Sequence, residues 1–296
     1  MTKKTKKPHQ SLKIPKIIIV VGQFLSFIST KLVVQFAARL FTSPIKHPIP
    51  KRELEMDRLT RQEVLLIPSI QKRINVYHSG TSAKKILLVH GWSGRGTQLV
   101  KFAEAFEKLG FQIVSFDAPA HGKSPGNTTL MPEFIASILE IEKQFGPFEA
   151  AVGHSLGGMS LLNTVKEGFK IKRLTIIGSG DIVKDIIDDF VQNLQLDSKI
   201  SDLLRIHFEK KSNRTMDSYS SHYAAKSVSI PVLVIHDEND DEVPVSCAHH
   251  IHQHLSNGAL MITKNLGHRK ILGDSNVIRE TVQFINQSHT LKKANR

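Results

Sequence analysis

The 296-residue chain contains a single cysteine, Cys247, and therefore cannot form an internal disulfide bond. One cysteine fits a reducing compartment, so we expect a cytoplasmic protein. The chain also lacks low-complexity tracts, fixed-period repeats, paired Cys/His zinc spacings and basic stretches interleaved with aromatic residues. These absences argue against repeat architectures, zinc modules and a nucleic-acid groove.

The net charge of +13 is concentrated at the two ends of the chain. Residues 1–16 contain six lysines and no acid, and residues 286–296 contain three basic residues and no acid. Without those nine charges the rest of the chain carries only +4. We therefore expect no nucleic-acid partner for the body, and we define residues 287–296 as a basic tail.

An uncharged, largely apolar stretch runs from Ile17 to Thr30. It falls short of the roughly 20 residues that a membrane-spanning helix needs. Apolar residues recur at helical spacing, so residues 1–50 predict a basic and hydrophobic helical extension that ends in a proline-rich linker. Two interpretations stay open. The helix packs on the rest of the chain, or residues 1–45 lie on the inner face of an anionic membrane as a peripheral contact.

Short apolar runs alternate with helical patterns over residues 60–286. Continuous runs such as Lys85–Val89 are typical of strands buried on both faces of a parallel sheet. The alternation predicts an α/β fold with a mostly parallel central sheet flanked by helices, and Arg61–Ile67 and Lys72–His78 predict an antiparallel start. Residues 181–229 are too many for one crossover helix and predict a small helical lid over the strand ends.

Residues Gly153-His154-Ser155-Leu156-Gly157 have the form of a nucleophile elbow. A serine is exposed for attack when a tight strand-to-helix turn projects its hydroxyl outward, and glycines on both sides leave room for that turn. Ser155 is therefore the candidate nucleophile. The alternative is a serine that only caps the following helix.

Three further motifs each follow a predicted strand. They are His90-Gly91, His236-x-x-x-Asp240-x-x-Val-Pro and Gly267-His268. With the elbow, they resemble the α/β-hydrolase family over roughly residues 60–286. The resemblance implies catalysis by Ser155, Asp240 and His268 as nucleophile, acid and base.

The oxyanion hole of such a site would use two backbone N–H groups. One belongs to Leu156, directly after the nucleophile, and the other to the loop after the first parallel strand, where Trp92 is the candidate. The acid is less sharply defined, because residues 237–242 offer five carboxylates. The family spacing selects Asp240, and Asp237 remains the rival.

Four histidines, at positions 249, 250, 252 and 254, form a cluster that suggests a metal site. No carboxylate completes a motif such as His-Glu-x-x-His, and a surface helix is expected here, so we predict no metal ligands. The expected chemistry also needs no organic cofactor.

The sequence thus predicts a serine hydrolase that cleaves a small-molecule carboxylic ester or thioester through an acyl-enzyme. Two alternatives stay open. One is a non-catalytic protein of the same fold that binds a hydrophobic ligand, and the other is an acyltransferase or peptidase, because a triad alone does not fix the acceptor or the bond.

Overall fold

The structure is a computed structural model that describes residues 14–212 and 214–286. The basic tail predicted at residues 287–296, and the lysines before residue 14, lie outside the described residues.

One eight-stranded sheet forms the centre of the molecule. Its strands are β1 (Arg61–Ile67), β2 (Lys72–Ser79), β3 (Lys85–Val89), β4 (Gln112–Asp117), β5 (Ala150–His154), β6 (Arg173–Ile177), β7 (Val232–Asp237) and β8 (Gly258–Thr263). Their spatial order is β1-β2-β4-β3-β5-β6-β7-β8. β2 alone runs in the opposite direction to the other seven strands, so the mostly parallel sheet that the sequence predicts is confirmed.

Helices cover both faces of this sheet. In chain order they are α1 (Lys16–Ile28), α2 (Thr30–Phe41), α3 (Leu54–Leu59), α4 (Val100–Glu107), α5 (Met131–Phe145), α6 (Leu156–Lys166), α7 (Val183–Asn193), α8 (Lys199–Ser212), α9 (Ser221–Ala225), α10 (Ser246–His254), α11 (Gly267–Lys270) and α12 (Ser275–Asn286). α5, α6, α9 and α10 share an apolar core with one face, and α4 and α12 share another with the opposite face. Every residue of β5 and β6 is buried, as expected for central strands that are covered on both faces.

A core contact precedes the strand that leads to the elbow. Phe148, two residues before β5, is buried and packs against Phe169, with ring centroids 6.1 Å apart.

A third apolar cluster joins α7 and α8 to the beginnings of α5 and α6. Met159 of α6, four residues after Ser155, belongs to this cluster, as does Met131 at the start of α5. Residues 183–212 therefore lie beside the elbow. Their role as a lid remains a prediction from that position.

The N-terminal apolar pattern forms two helices, because Ser29 takes an extended backbone conformation between them (φ −161°, ψ 125°). α2 buries Val33 and Ala37 completely in the third cluster, against α8. α1 buries only Gly22. Within residues 14–212 and 214–286, no helix has the length and apolar character needed to cross a bilayer.

The chain after α2 is fixed to the body by polar contacts. The Lys46 ammonium donates to the carbonyl of Ser124 at 2.8 Å, and the Ile45 N–H donates to Ser93 Oγ at 3.0 Å. The buried Glu53 accepts a hydrogen bond of 2.9 Å from the Thr97 hydroxyl. These contacts place α2 over the third cluster.

The packing of α2 predicts a large loss of stability for one substitution and almost none for its neighbour. Val33→Asp places an unpaired charge in a site with no exposure and should lower the free energy of unfolding by about 3 kcal/mol or more. Leu32→Asp is the matched control because Leu32 is 43% exposed, and its effect should stay within about 0.5 kcal/mol. Urea unfolding of both variants measures the difference, and equal effects would show that α2 is not packed as described.

Candidate active site

Ser155 lies between β5 and α6 in a strained backbone conformation. Its φ of +53° and ψ of −120° fall in a region that residues with side chains rarely adopt. Gly157 permits the turn, since a Cβ there would lie 2.4 Å from the carbonyl oxygen of Val89. A Cβ at Gly153 would lie 2.7 Å from the backbone of Gly157. The two glycines therefore allow β5 and α6 to meet tightly enough to project the serine outward.

Asp240 and His268 form a direct hydrogen bond. His268 Nδ1 lies 2.7 Å from Asp240 Oδ2, and both side chains are almost completely buried. The other carboxylate oxygen accepts the N–H groups of Glu242 at 2.9 Å and Val243 at 2.8 Å. The acid is therefore held in place by the turn after β7.

The environment of Asp240 keeps this carboxyl group ionised. Burial alone would raise its pKa, but hydrogen bonds from His236 and His268 and from the N–H of Val243 lower the pKa of Asp240 well below its ordinary value. A charged Asp240 fixes the Nδ1–H tautomer of His268 and leaves the Nε2 lone pair available to accept a proton.

The rival acid, Asp237, has a different position and does not contact the imidazole of His268. Its Oδ1 accepts the N–H groups of Asn239 and Gly267, each at 3.0 Å. Its Oδ2 accepts the Thr263 hydroxyl at 2.7 Å and the N–H of Leu266 at 3.1 Å. Asp237 therefore fixes the loop that carries His268, and Asp240 is the carboxylate on the imidazole.

Ser155 and the Asp240–His268 pair both lie against the end of β6. The Ser155 N–H donates to the carbonyl of Ile177 at 2.9 Å. A Cβ on Gly178, the next residue, would lie 3.2 Å from His268 Nδ1 and 3.5 Å from Asp240 Oδ2. Among the described residues, no hydrogen bond joins the Ser155 hydroxyl to His268, and such contacts often tighten only when a substrate binds.

The two proposed oxyanion donors are free of other hydrogen bonds among the described residues. The N–H of Leu156 starts α6, and that of Trp92 lies in the loop after β3. The side chain of His121 stabilises this loop, because its Nε2 accepts the N–H of Ser93 at 3.0 Å. Burial lowers the pKa of His121 to about 4, which keeps the ring neutral and able to accept.

His90 has a structural position in the same loop. Its Nδ1 donates to the carbonyl of Gly91 at 2.7 Å, and its Nε2 accepts the N–H of Ala118 at 3.0 Å. Burial holds the pKa of His90 well below its ordinary value. The neutral ring therefore links the loop after β3 to the end of β4.

His154, inside the elbow motif, contacts the loop that carries His268, and the sequence did not reveal this contact. Its Nε2 donates to the carbonyl of His268 at 3.0 Å, and the two rings lie 4.6 Å apart. Burial, with the nearby His268, lowers the pKa of His154 to about 3. The elbow therefore supports the histidine loop directly. The only signal in the sequence is a polar residue at the end of a buried strand.

Two protein families match the sequence of this chain. The α/β-hydrolase fold family matches residues 84–223, and the TAP-like protein family matches residues 210–292. Together the matches contain every candidate site residue. No curated protein sequence matches the chain.

Solved structures similar to this one include the following three. The α/β-hydrolase domain-containing protein 10 from mouse is 18% identical, with a TM-score of 0.59, over 76% of this chain and 97% of that one. An esterase from Exiguobacterium antarcticum is 14% identical, with a TM-score of 0.62, over 77% and 100%. The thioesterase domain of the curacin biosynthetic pathway is 15% identical, with a TM-score of 0.57, over 78% and 100%. Identities this low establish a shared fold and leave the reaction open.

The role of Asp237 predicts a stability effect with a defined pH dependence. Burial opposes its charge, but the four hydrogen bonds lower its pKa in the folded state. Its stabilising contribution is thus complete above the unfolded-state pKa of about 3.9 and is lost as the pH falls towards the folded-state pKa. Asp237→Asn should cost about 1–3 kcal/mol at pH 7, and the difference from wild type should shrink below about pH 4.

Denaturant unfolding between pH 3 and pH 8 measures this difference. Glu238→Gln is the matched control, because Glu238 is the adjacent residue and is exposed. A loss in the control as large as in Asp237→Asn, or a difference that persists unchanged to pH 3, would contradict the assignment.

Proposed function

Since this chain belongs to the α/β-hydrolase fold family, we propose that it is a serine hydrolase that cleaves a carboxylic ester or thioester. The observation that carries the proposal is the buried 2.7 Å hydrogen bond between Asp240 and His268, beside a serine held at positive φ. A pairing of this kind orients an imidazole for proton transfer, and a strained serine turn exposes a nucleophile.

In the first half-reaction, Ser155 Oγ forms a bond to the acyl carbon while His268 Nε2 accepts the hydroxyl proton. Asp240 stabilises the imidazolium that results. The N–H groups of Trp92 and Leu156 donate to the oxyanion that develops on the substrate carbonyl. The bond to the alcohol or thiol then breaks, and His268 returns the proton to the leaving group.

In the second half-reaction, water replaces the leaving group. His268 accepts a proton from the water, whose oxygen bonds to the acyl carbon, and the bond to Ser155 Oγ breaks. The proton returns to the serine, and the carboxylic acid is released. No metal or organic cofactor takes part in these steps.

This mechanism predicts covalent labelling of the full-length protein by a fluorophosphonate probe. Ser155→Ala should abolish labelling, since the nucleophile is removed, and Asp240→Asn should slow it by about 10⁴-fold because the wrong tautomer of His268 is favoured. Ser198→Ala, an exposed serine between α7 and α8, is the control and should label like wild type. Gel fluorescence against time gives the rates.

The outcomes separate the alternative functions. Folded wild-type protein that does not label favours the non-catalytic ligand-binding protein. Labelling with release of p-nitrophenol from chain-length-graded esters supports the hydrolase. Labelling with transfer of the acyl group to an added alcohol or amine, or with cleavage of peptides but not esters, would favour an acyltransferase or a peptidase.

We further propose that α1 rests on an anionic membrane surface. This helix is apolar on nearly every side, a composition that normally requires burial all round. One face packs on the third cluster through residues such as Ile18 and Leu25. The opposite face is exposed, with Phe24 63% and Phe27 91% accessible. It forms a stripe at helical spacing of Ile17, Val20, Val21, Phe24, Phe27 and Ile28.

The charge around this stripe matches a surface of anionic lipid. Residues 1–52 contain eleven lysine and arginine residues, and the first acid is Glu53. Lys16 begins α1, and Lys31 follows it at the start of α2. An apolar face flanked only by cations is the pattern of a helix lying in the interface of an anionic bilayer. Because α2 connects α1 to α7 and α8, the membrane would lie next to the predicted lid.

The membrane proposal predicts salt-sensitive binding that depends on α1. Full-length protein should sediment with vesicles of phosphatidylglycerol and phosphatidylcholine at low salt and be released at high salt. Phe24→Asp and Phe27→Asp should each weaken binding by about 10-fold or more, from the loss of a buried aromatic side chain. Leu109→Asp, at an apolar residue of the body that is 47% exposed, should bind like wild type.

Two results would contradict this proposal. One is sedimentation unaffected by the two phenylalanine substitutions. The other is failure to bind vesicles together with a dimer in light scattering that Phe27→Asp dissociates, which would assign the stripe to a second copy of the chain.

A further inference from the structure

A cluster of metal-ligating side chains lies apart from Ser155, Asp240 and His268. Asp181 follows β6 by four residues, His222 is the second residue of α9, and His250 lies in α10. One potential ligand atom from each residue lies within 4.8 Å of those of the other two. Three elements that are distant in the sequence therefore bring a carboxylate and two imidazoles to one point.

The carboxylate of Asp181 is buried and faces hydrogen-bond donors. The side chain is 2% exposed. Its Oδ1 accepts the backbone N–H of His222 at 2.7 Å and the Nδ1–H of the same residue at 2.9 Å. Its Oδ2 is in close contact with Nδ1 of His250. Both imidazole nitrogens nearest the acid are thus positions where a metal ion can replace a proton.

An ion can reach the cluster from solvent, because both histidines are partly exposed. The side chain of His222 is 22% exposed and that of His250 is 38% exposed. His254, one turn further along α10, packs its ring 4.6 Å from that of His250 and 5.3 Å from that of His222. Its Nδ1 donates to the carbonyl of His250 at 2.8 Å, so its Nε2 retains a lone pair.

We propose that Asp181, His222 and His250 bind one divalent transition-metal ion, with Zn²⁺ as the best match. Imidazole nitrogens favour such ions, whereas Mg²⁺ and Ca²⁺ prefer sites made of oxygen alone. Zinc binds nitrogen and carboxylate ligands at about 2.0–2.2 Å in a tetrahedron, and a water or His254 can supply the fourth ligand. Binding requires the two partly exposed histidines to rotate until their Nδ1 atoms and the Asp181 carboxylate surround the ion at that spacing. Each imidazole binds the ion through Nδ1 and carries its remaining proton on Nε2, so a neutral ring changes tautomer and an imidazolium releases one proton to solvent.

The ion would stabilise the junction between the predicted lid and the sheet. α9 ends the segment that begins after β6, and α10 follows the turn that carries Asp240. A metal that joins α9 and α10 to the loop after β6 would hold this segment to the body at the point where it returns to the sheet. Its role is structural, because none of its ligands contacts Ser155 or His268.

This proposal departs from the expectation that the sequence alone supports. Within α10 no carboxylate accompanies the histidines, and on that ground the sequence predicts no metal. The fold supplies the carboxylate from Asp181, 69 residues before His250, and a further imidazole from His222.

The test is calorimetric titration of Zn²⁺ into untagged, full-length protein. The protein is first treated with a chelator to remove bound metal, and the chelator is then removed by dialysis. We expect saturable binding of one ion per chain and a rise in melting temperature of at least about 4 °C. His222→Ala and His250→Ala should each weaken binding by more than about 10-fold and abolish the rise in melting temperature. Both side chains are partly exposed, so these variants should fold, and circular dichroism checks that they do.

His249→Ala and His252→Ala are the matched controls. Both residues lie on α10 but outside the cluster, and they should bind Zn²⁺ like wild type. Absence of saturable binding would overturn the proposal and leave Asp181 as an acceptor of hydrogen bonds only. Equal losses in the controls, or no loss in the His222 and His250 variants, would overturn it by showing non-specific binding to surface histidines. None of these outcomes depends on labelling of Ser155.

Discussion

The arrangement of this protein depends on a buried carboxylate that stays ionised. Removing Asp240 from water costs free energy, and the structure compensates with two backbone N–H groups and the imidazole of His268. The adjacent turn uses a second buried carboxylate, Asp237, to bind the loop that carries that imidazole. Asp240 therefore orients the side chain of His268, and Asp237 orients the backbone of the loop that carries it. The proposed chemistry needs both, because proton transfer demands an imidazole fixed in position as well as in tautomer.

The parallel sheet explains why these groups meet. The carboxyl ends of β3, β5, β6, β7 and β8 lie along one edge, so the loops that follow them converge although they are distant in sequence. Two glycines at this edge leave room for close neighbours. A Cβ on Gly157 would clash with the backbone of Val89, and a Cβ on Gly178 would lie tightly against the imidazole of His268. The strain stored at Ser155 persists because β5 and α6 are both packed in the core and hold the turn between them.

Around this edge, α1, α2, α7 and α8 form a layer around the third apolar cluster, which they share with the beginnings of α5 and α6. α2 is fully integrated into that cluster, whereas α1 covers it with one face and leaves the other exposed. A helix with two apolar faces, of which only one packs on the protein, leaves apolar surface in water, and this is the physical basis of the proposal that α1 rests on a membrane surface. The histidine cluster around Asp181 lies where this layer returns to the sheet.

The sequence by itself determined the alternation of strands and helices, the tight turn at Ser155 and the order of the candidate residues. These follow from local patterns: apolar periodicity, glycines beside a serine, and polar residues that end buried strands. Only the tertiary structure decided that Asp240 rather than Asp237 contacts His268, that the N-terminal helix breaks at Ser29 with one face exposed, and that His154 supports the histidine loop. It also decided that Asp181 meets two histidines, 41 and 69 residues away. Such contacts depend on strand register and loop direction, which local residue patterns do not encode.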